Sequence, residues 1–292
     1  MTRLQNISQR GMDFAGGMTA KSLGAYASST AFFFFLSMIP IMILFAEILP
    51  LIGLGEEELV LLFTDLTPAV ADDLVVQIVH EAYGISSGLL PLSFLVMLWS
   101  AAKGMLALIS GLNQIYDIDE KRNYFYLRLI ASVYTLLLLV VLVAMLVLFV
   151  FARQLRFLLE GRFLFLHMLA FGIPNLRVLV TLAVSVLLFS LIYTFVPGKK
   201  QNWFFQLPGA VFSAVAWGGF SYFFSLFVGV AGSFSTYYGS LATLIILLIW
   251  IYWCFYLFLI GGFINVYFRH DVMRISAKLK EKKQKKASAK GK

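Results

Sequence analysis

The chain has 292 residues, of which 61% are hydrophobic and 13% charged, with a mean hydropathy of +0.88. Such usage excludes a soluble globular domain and a disordered chain, and predicts a polytopic membrane protein. The net charge of +8 would suit a nucleic-acid binder, but acidic and basic residues are segregated along the chain as a membrane topology requires. Cys254 stands alone, which leaves neither a disulfide framework nor a thiolate metal site.

Residues 1–24 carry Arg3, Arg10, Asp13 and Lys21 among polar residues and glycines. They lack the apolar core of a signal peptide, so a cytoplasmic N-terminal segment is expected, with the first span retained as an uncleaved anchor. Apolar runs long enough to cross a bilayer follow at about 25–50, 89–112, 127–152, 176–196, 207–230 and 240–267. These runs are continuous rather than alternating, which excludes a β-barrel. The expected fold is therefore all-α, a bundle of six transmembrane helices over residues 25–268.

Between the first two runs lie Glu56, Glu57, Glu58, Asp65, Asp72, Asp73 and Glu81, with no Lys or Arg among them. Lys121, Arg122, Lys199, Lys200 and the residues from 269 to 292 fall on the opposite side, so both termini are expected to be cytoplasmic. Arg153, Arg156 and Arg162 disagree with that orientation. In the acidic segment, about 51–87, Val70, Leu74, Val75, Ile78, Val79 and Ala82 recur at helical spacing. They predict an extracytoplasmic amphipathic helix, read as a solvated lid or as a cation-collecting vestibule. The basic tail, Arg269 to Lys292, is expected to bind anionic lipids of the inner leaflet at about 1 kcal/mol per basic group. Nucleic acid is not an expected partner.

Enzyme chemistry finds little to work with. His80, His167 and His270 have no partner at metal-ligand spacing, and no phosphate-binding glycine loop is present. No catalytic residue, cofactor or metal is assigned. The informative residues are polar ones inside the spans. Lys103 lies in an otherwise apolar stretch, Leu89 to Leu112, with no acid to pair with it. Such an ammonium either meets water, a borrowed carboxylate, carbonyls or an anionic ligand, or else the bilayer boundary falls at Lys103 and it is an interfacial anchor. Ser29, Phe33, Ser37 and Pro40 share a face of the first span, where Pro40 should kink or break the helix near Ser37. Gly209, Ser213, Trp217, Ser221, Ser225 and Gly229 recur every four residues in the fifth span. That seam is read either as close helix packing or as the wall of a polar cavity.

Several blocks together resemble a known family. They are Ala25-Tyr26 with Leu36-Ser37-Met38-Ile39-Pro40, Trp99-Ser100-Ala101-Ala102-Lys103-Gly104 with Leu112-Asn113-Gln114-Ile115-Tyr116, and Leu207-Pro208-Gly209-Ala210 with Trp217. Tyr237-Tyr238-Gly239-Ser240-Leu241 and Trp250-Ile251-Tyr252 complete the likeness to the YihY/BrkB family. The resemblance implies a six-helix bacterial inner-membrane protein. It also implies links to serum resistance and to export of lipid-linked envelope precursors, and a past mislabelling as a tRNA-processing ribonuclease. The family's basic residue after the Trp-Ser pair falls on Lys103, and its Tyr-Gly-Ser turn on Tyr238, Gly239 and Ser240. Where many members read Gly-Ala-Glu, this chain has Gly261-Gly262-Phe263.

The function expected from these readings is a transporter or flippase-like protein, not driven by ATP, for an anionic or lipid-like envelope substrate. Lys103, Ser100, Ser37, Ser213, Trp217, Ser221 and Tyr238 are its candidate substrate-binding residues. The alternative is a membrane scaffold of the envelope without transport, and a tRNA-processing ribonuclease has no residue to support it. Membrane lipids and a second copy of the chain are the expected partners.

Overall fold

The structure is a computed structural model that describes residues 3–48, 55–67, 71–84, 90–159, 176–230, 243–267 and 269. Tyr238, Gly239, Ser240, Arg162, His167 and most of the basic tail lie outside the described residues. All regular structure among the described residues is helical. In chain order the helices are α1 (Arg3–Ala20), α2 (Leu23–Ile48), α3 (Glu56–Leu66), α4 (Asp72–Gly84), α5 (Leu90–Ile115), α6 (Tyr124–Leu159), α7 (Leu176–Phe195), α8 (Leu207–Val230) and α9 (Thr243–Tyr267).

Four stretches are long and apolar enough to cross a membrane: Phe94–Ile115 in α5, Tyr124–Val141 in α6, Leu207–Phe227 in α8 and Thr243–Tyr267 in α9. Leu23–Met38 and Thr181–Phe195 are shorter apolar helices by the same measure. The six apolar runs of the sequence thus each correspond to a helix, because a continuous run has no polar face on which a strand or loop could satisfy its backbone in lipid.

Pairs of helices are set by small residues. α2 and α5 run antiparallel in close contact: a Cβ at Gly111 would lie 2.9 Å from the Cβ of Tyr26, and one at Gly104 would lie 3.3 Å from the backbone nitrogen of Phe34. Below Lys103, Leu108, Ile109, Leu112 and Ile115 are buried in the main core with Leu23, Ala27, Tyr193 and Leu259. α8 and α9 approach still more closely, since a Cβ at Gly209 would overlap the carbonyl oxygen of Gly261.

Two local expectations change. Pro40 lies inside α2, which runs on to Ile48, so of the kink or break expected near Ser37 the break is absent. The Ser37 hydroxyl is buried and donates to the Phe34 carbonyl at 2.7 Å, a bond made within the helix rather than to a gap in it. The acidic segment contains two helices, α3 and α4, rather than one. His80 Nδ1 lies 3.0 Å from Glu56 Oε1 across that hairpin. Leu59, Val75 and Val79 are buried, and Ala71 joins a buried cluster with Ala31, Leu247, Trp250 and Ile251. The hairpin therefore packs against α2, with Ala71 at its turn beside α2 and α9.

At the end of the bundle that carries Leu23, Ile115 and Tyr267, polar groups lock the helices together. Asn113 donates to Glu120 at 2.9 Å and accepts from the Gly198 amide at 2.7 Å. Arg122 grips Glu120 with two nitrogens, at 2.7 and 2.6 Å. That pair holds the Glu120 carboxyl below the usual carboxylate range, hydrogen bonding from Arg122 being the largest cause. α1 folds back onto the same end, with Phe14 edge-on to both Phe263 and Tyr267 and with Lys21 paired to Asp117. Ser22 and Asp117 both have φ of 53°; these left-handed residues turn the chain sharply where α1 meets α2 and where α5 ends.

Candidate functional site

Lys103 lies near the middle of the apolar stretch Phe94–Ile115. The residue is half-buried, and its Nζ lies 5.2 Å from the ring centre of Phe33 on α2 and 5.5 Å from that of Trp99, one turn earlier on α5. Gly104 brings the two helices close enough for Phe33 to reach the ammonium. Among the described residues no carboxylate lies within ion-pair distance of Lys103. Placing a lysine at the centre of a transmembrane helix costs about 2.5–3.5 kcal/mol. Two cation–π contacts of roughly 0.5–1 kcal/mol each offset only part of that.

A second cation reaches the same tryptophan. Arg128, in the first turns of α6, donates from Nη2 to the Trp99 carbonyl at 2.7 Å, and its Cζ stands 4.7 Å from the Trp99 ring centre. Arg128 Nη1 has no hydrogen-bond acceptor among the described residues. Because both charges sit against one ring, they are separated by at most about 10 Å, where like charges repel by roughly 1.7 kcal/mol at an effective dielectric of ~20. Trp99 itself is 63% exposed, and its neighbours Leu95 and Val96 on α5 and Phe125 and Leu129 on α6 are exposed as well. An exposed face this apolar on membrane-crossing helices is a face for lipid.

Arg128 is the residue that sequence reading missed. It follows Lys121 and Arg122 at the edge of an apolar run, where a basic residue reads as part of a positively charged loop. The signal available was its position inside the apolar run at about 127–152, at its start.

The other candidates occupy two different places. Ser100 lies on α5 beside Trp99, part-exposed, and Ser37 is buried on α2 with its hydroxyl bonded to Phe34. Ser213, Trp217 and Ser221 lie along the face of α8 that meets α7 and α9. Ser213 Oγ is 2.8 Å from Tyr193 Oη, which donates to the Phe258 carbonyl at 2.5 Å. Trp217 stacks on Phe189 at 5.2 Å between ring centres, and Ser221 accepts from Trp250 Nε1 at 3.3 Å. Gly209 completes the row, its amide donating to Asn265 Oδ1 at 2.7 Å. These four positions of the seam are thus engaged by neighbouring helices, the first of its two readings. Among the described residues no group of three His, Cys, Asp or Glu could hold a metal ion.

The family profile of Virulence factor BrkB matches residues 14–288. The chain belongs to the BrkB family. It is 32% identical over 244 residues to a Bacillus subtilis protein described as Putative ribonuclease-like protein YfkH, an alignment covering 82% of this chain and 87% of that one. No solved structure matches it. Membership and apolar helices together make this BrkB-family chain an integral membrane protein.

Proposed function

We propose that this BrkB-family chain moves an anionic amphiphile through or along the membrane without ATP, with Lys103 holding the anionic group as a point charge. The observation that carries the reading is an ammonium in mid-span with aromatic faces on two sides and no acidic partner among the described residues. Phe33 and Trp99 suit an ammonium whose true counter-ion comes and goes, because a cation–π contact attracts a cation without supplying an opposite charge. Ser100, on the same exposed side of α5, is placed to add a hydrogen bond.

In this reading all six apolar helices, α2 and α5 to α9, cross the membrane. Both termini lie in the cytoplasm and the α3–α4 hairpin is on the outer side, an orientation that rests on the acidic residues of the hairpin and the basic residues of the loops and tail. The name of the Bacillus relative raises RNA cleavage, for which no residue here is assigned. A scaffold without transport remains the competing role of the acidic hairpin and tail.

The test is movement of labelled anionic lipid in vesicles reconstituted with wild type, Lys103→Ala and Lys103→Glu. Movement by wild type that falls in both variants is the expected result, with the larger fall in Lys103→Glu. Equal movement in all three would sink the proposal, and loss of the cellular phenotype on neutralising Asp72 and Asp73 alone would favour the scaffold.

A further inference from the structure

We infer that Lys103 and Arg128 form one dibasic site, on the lipid-facing side of α2, α5 and α6, for the phosphate of an anionic phospholipid that enters sideways from the bilayer. The inference rests on the proposed function and adds to it the second cation, the headgroup chemistry and the route of entry. Three observations carry it. Both cations lie against the same Trp99 ring, at 5.5 and 4.7 Å. Neither has an acidic partner among the described residues, so an anion set between them turns mutual repulsion into two attractions. Arg128 is oriented by its bond to the Trp99 carbonyl, and its Nη1 is buried without a hydrogen-bond acceptor among the described residues.

The two basic groups divide the work by their shapes. A guanidinium donates two parallel N–H bonds to two oxygens of a phosphate, whereas an ammonium follows the charge on a flexible stem. Trp99, being 63% exposed, is the wall that an acyl chain passes, with Leu95 and Phe125 continuing the apolar surface. A free phosphate ion in water would have to leave its hydration shell to reach this face, while a phospholipid arrives with its tails already in hydrocarbon. The committed ligand is therefore a lipid phosphate.

The full-length protein, reconstituted in phosphatidylcholine vesicles, is titrated with phosphatidylglycerol carrying brominated acyl chains, which quench tryptophan. The quenching due to Trp99 is read as the difference from the same titration on Trp99→Phe. Brominated phosphatidylcholine serves as the uncharged reference. Wild type should favour the anionic lipid, and Arg128→Gln should lower that preference about five-fold, the worth of one basic group near a lipid phosphate. Arg128→Lys should restore only part of it, because the fork is lost. Inorganic phosphate added at millimolar concentration should not compete; competition would overturn the lipid as the ligand. A preference that falls in Lys103→Gln but is intact in Arg128→Gln overturns the dibasic site and leaves the proposed function standing. A preference intact in both overturns the site while the vesicle transport assay judges the function separately. Unchanged melting of Arg128→Gln in detergent, measured beside these titrations, excludes unfolding as the cause of a loss.

Discussion

An ammonium kept in an apolar span costs stability, and that cost separates a functional lysine from a structural one. Lys103 has two ring faces and no acid among the described residues, so a side chain of similar length without charge should fit at least as well. Lys103→Met is expected to leave the melting temperature in detergent unchanged or raised, while transport of anionic lipid is lost. A clear fall in melting temperature would make the ammonium part of the fold. The basic residue Arg122 is the contrast, because its charge is spent on Glu120. Lys103 stood out in the sequence as a charge amid apolar letters. The Phe33 ring above it and the Arg128 guanidinium beyond it are contacts across helices, which periodicity along one helix does not reveal.

Helix pairs in a membrane lack a hydrophobic drive to associate and rely on close packing instead. The α8–α9 pair is the tightest instance here. A methyl group added at Gly209 meets the Gly261 carbonyl and the Asn265 amide, whereas one added at Gly218, two turns further along α8, meets nothing within 4 Å. Gly209→Ala should therefore destabilise by about 1–3 kcal/mol or more, the usual cost of overpacking. Gly218→Ala should stay within about 0.5 kcal/mol of wild type, and thermal unfolding of the two in the same detergent decides it. Equal melting would mean that the helices shift apart without penalty. The spacing of Gly209, Ser213, Trp217 and Ser221 was plain in the sequence, and so was its meaning as a seam of small and weakly polar groups. Which neighbour the seam faces depends on Tyr193 and Trp250, contributed by helices on either side of it in the chain. The helical turns of α4 were equally readable from its apolar positions, whereas α3, at Glu56–Leu66, was not read. The packing of the hairpin against α2 was not readable either, because it involves Ala71 among Ala31 and Trp250, residues with no distinguishing chemistry.

For the molecule as a whole, the polar lock of Asn113, Glu120, Arg122 and Gly198 ties the α5–α6 turn to the chain after α7. Its electrostatic part depends on pH in a fixed direction. Glu120 has a lowered pKa in the folded protein, so its contribution is complete above the ordinary carboxylate value of about 4.3 and is lost as pH falls through the lowered one. Melting measured from neutral pH downward should show a stability loss in that acidic window, and Glu120→Gln should remove that part of the loss while lowering stability at neutral pH. Identical pH curves for the two proteins would discount the lock. Topology admits an independent check. Single cysteines placed at Gly11 and at Glu57, in a Cys254→Ala background, should label from opposite sides of the membrane in intact cells. Labelling from one side would contradict the six crossings that the composition of the loops anticipates.

The close approach of Gly209 to Gly261 also has a bearing on biosynthesis. Until α9 has left the ribosome, α8 has no partner for the Gly209 amide, and the Tyr193 hydroxyl has no Phe258 carbonyl to meet. The segment made first must wait as well, since Phe14 of α1 closes on Phe263 and Tyr267 at the far end of that same helix. Earlier helices can enter the membrane in sequence, but the bundle closes only when its last helix arrives. A nascent chain halted before Thr243 would be an open assembly with its polar seam bare, a form that a quality-control protease in the membrane could tell from the finished protein.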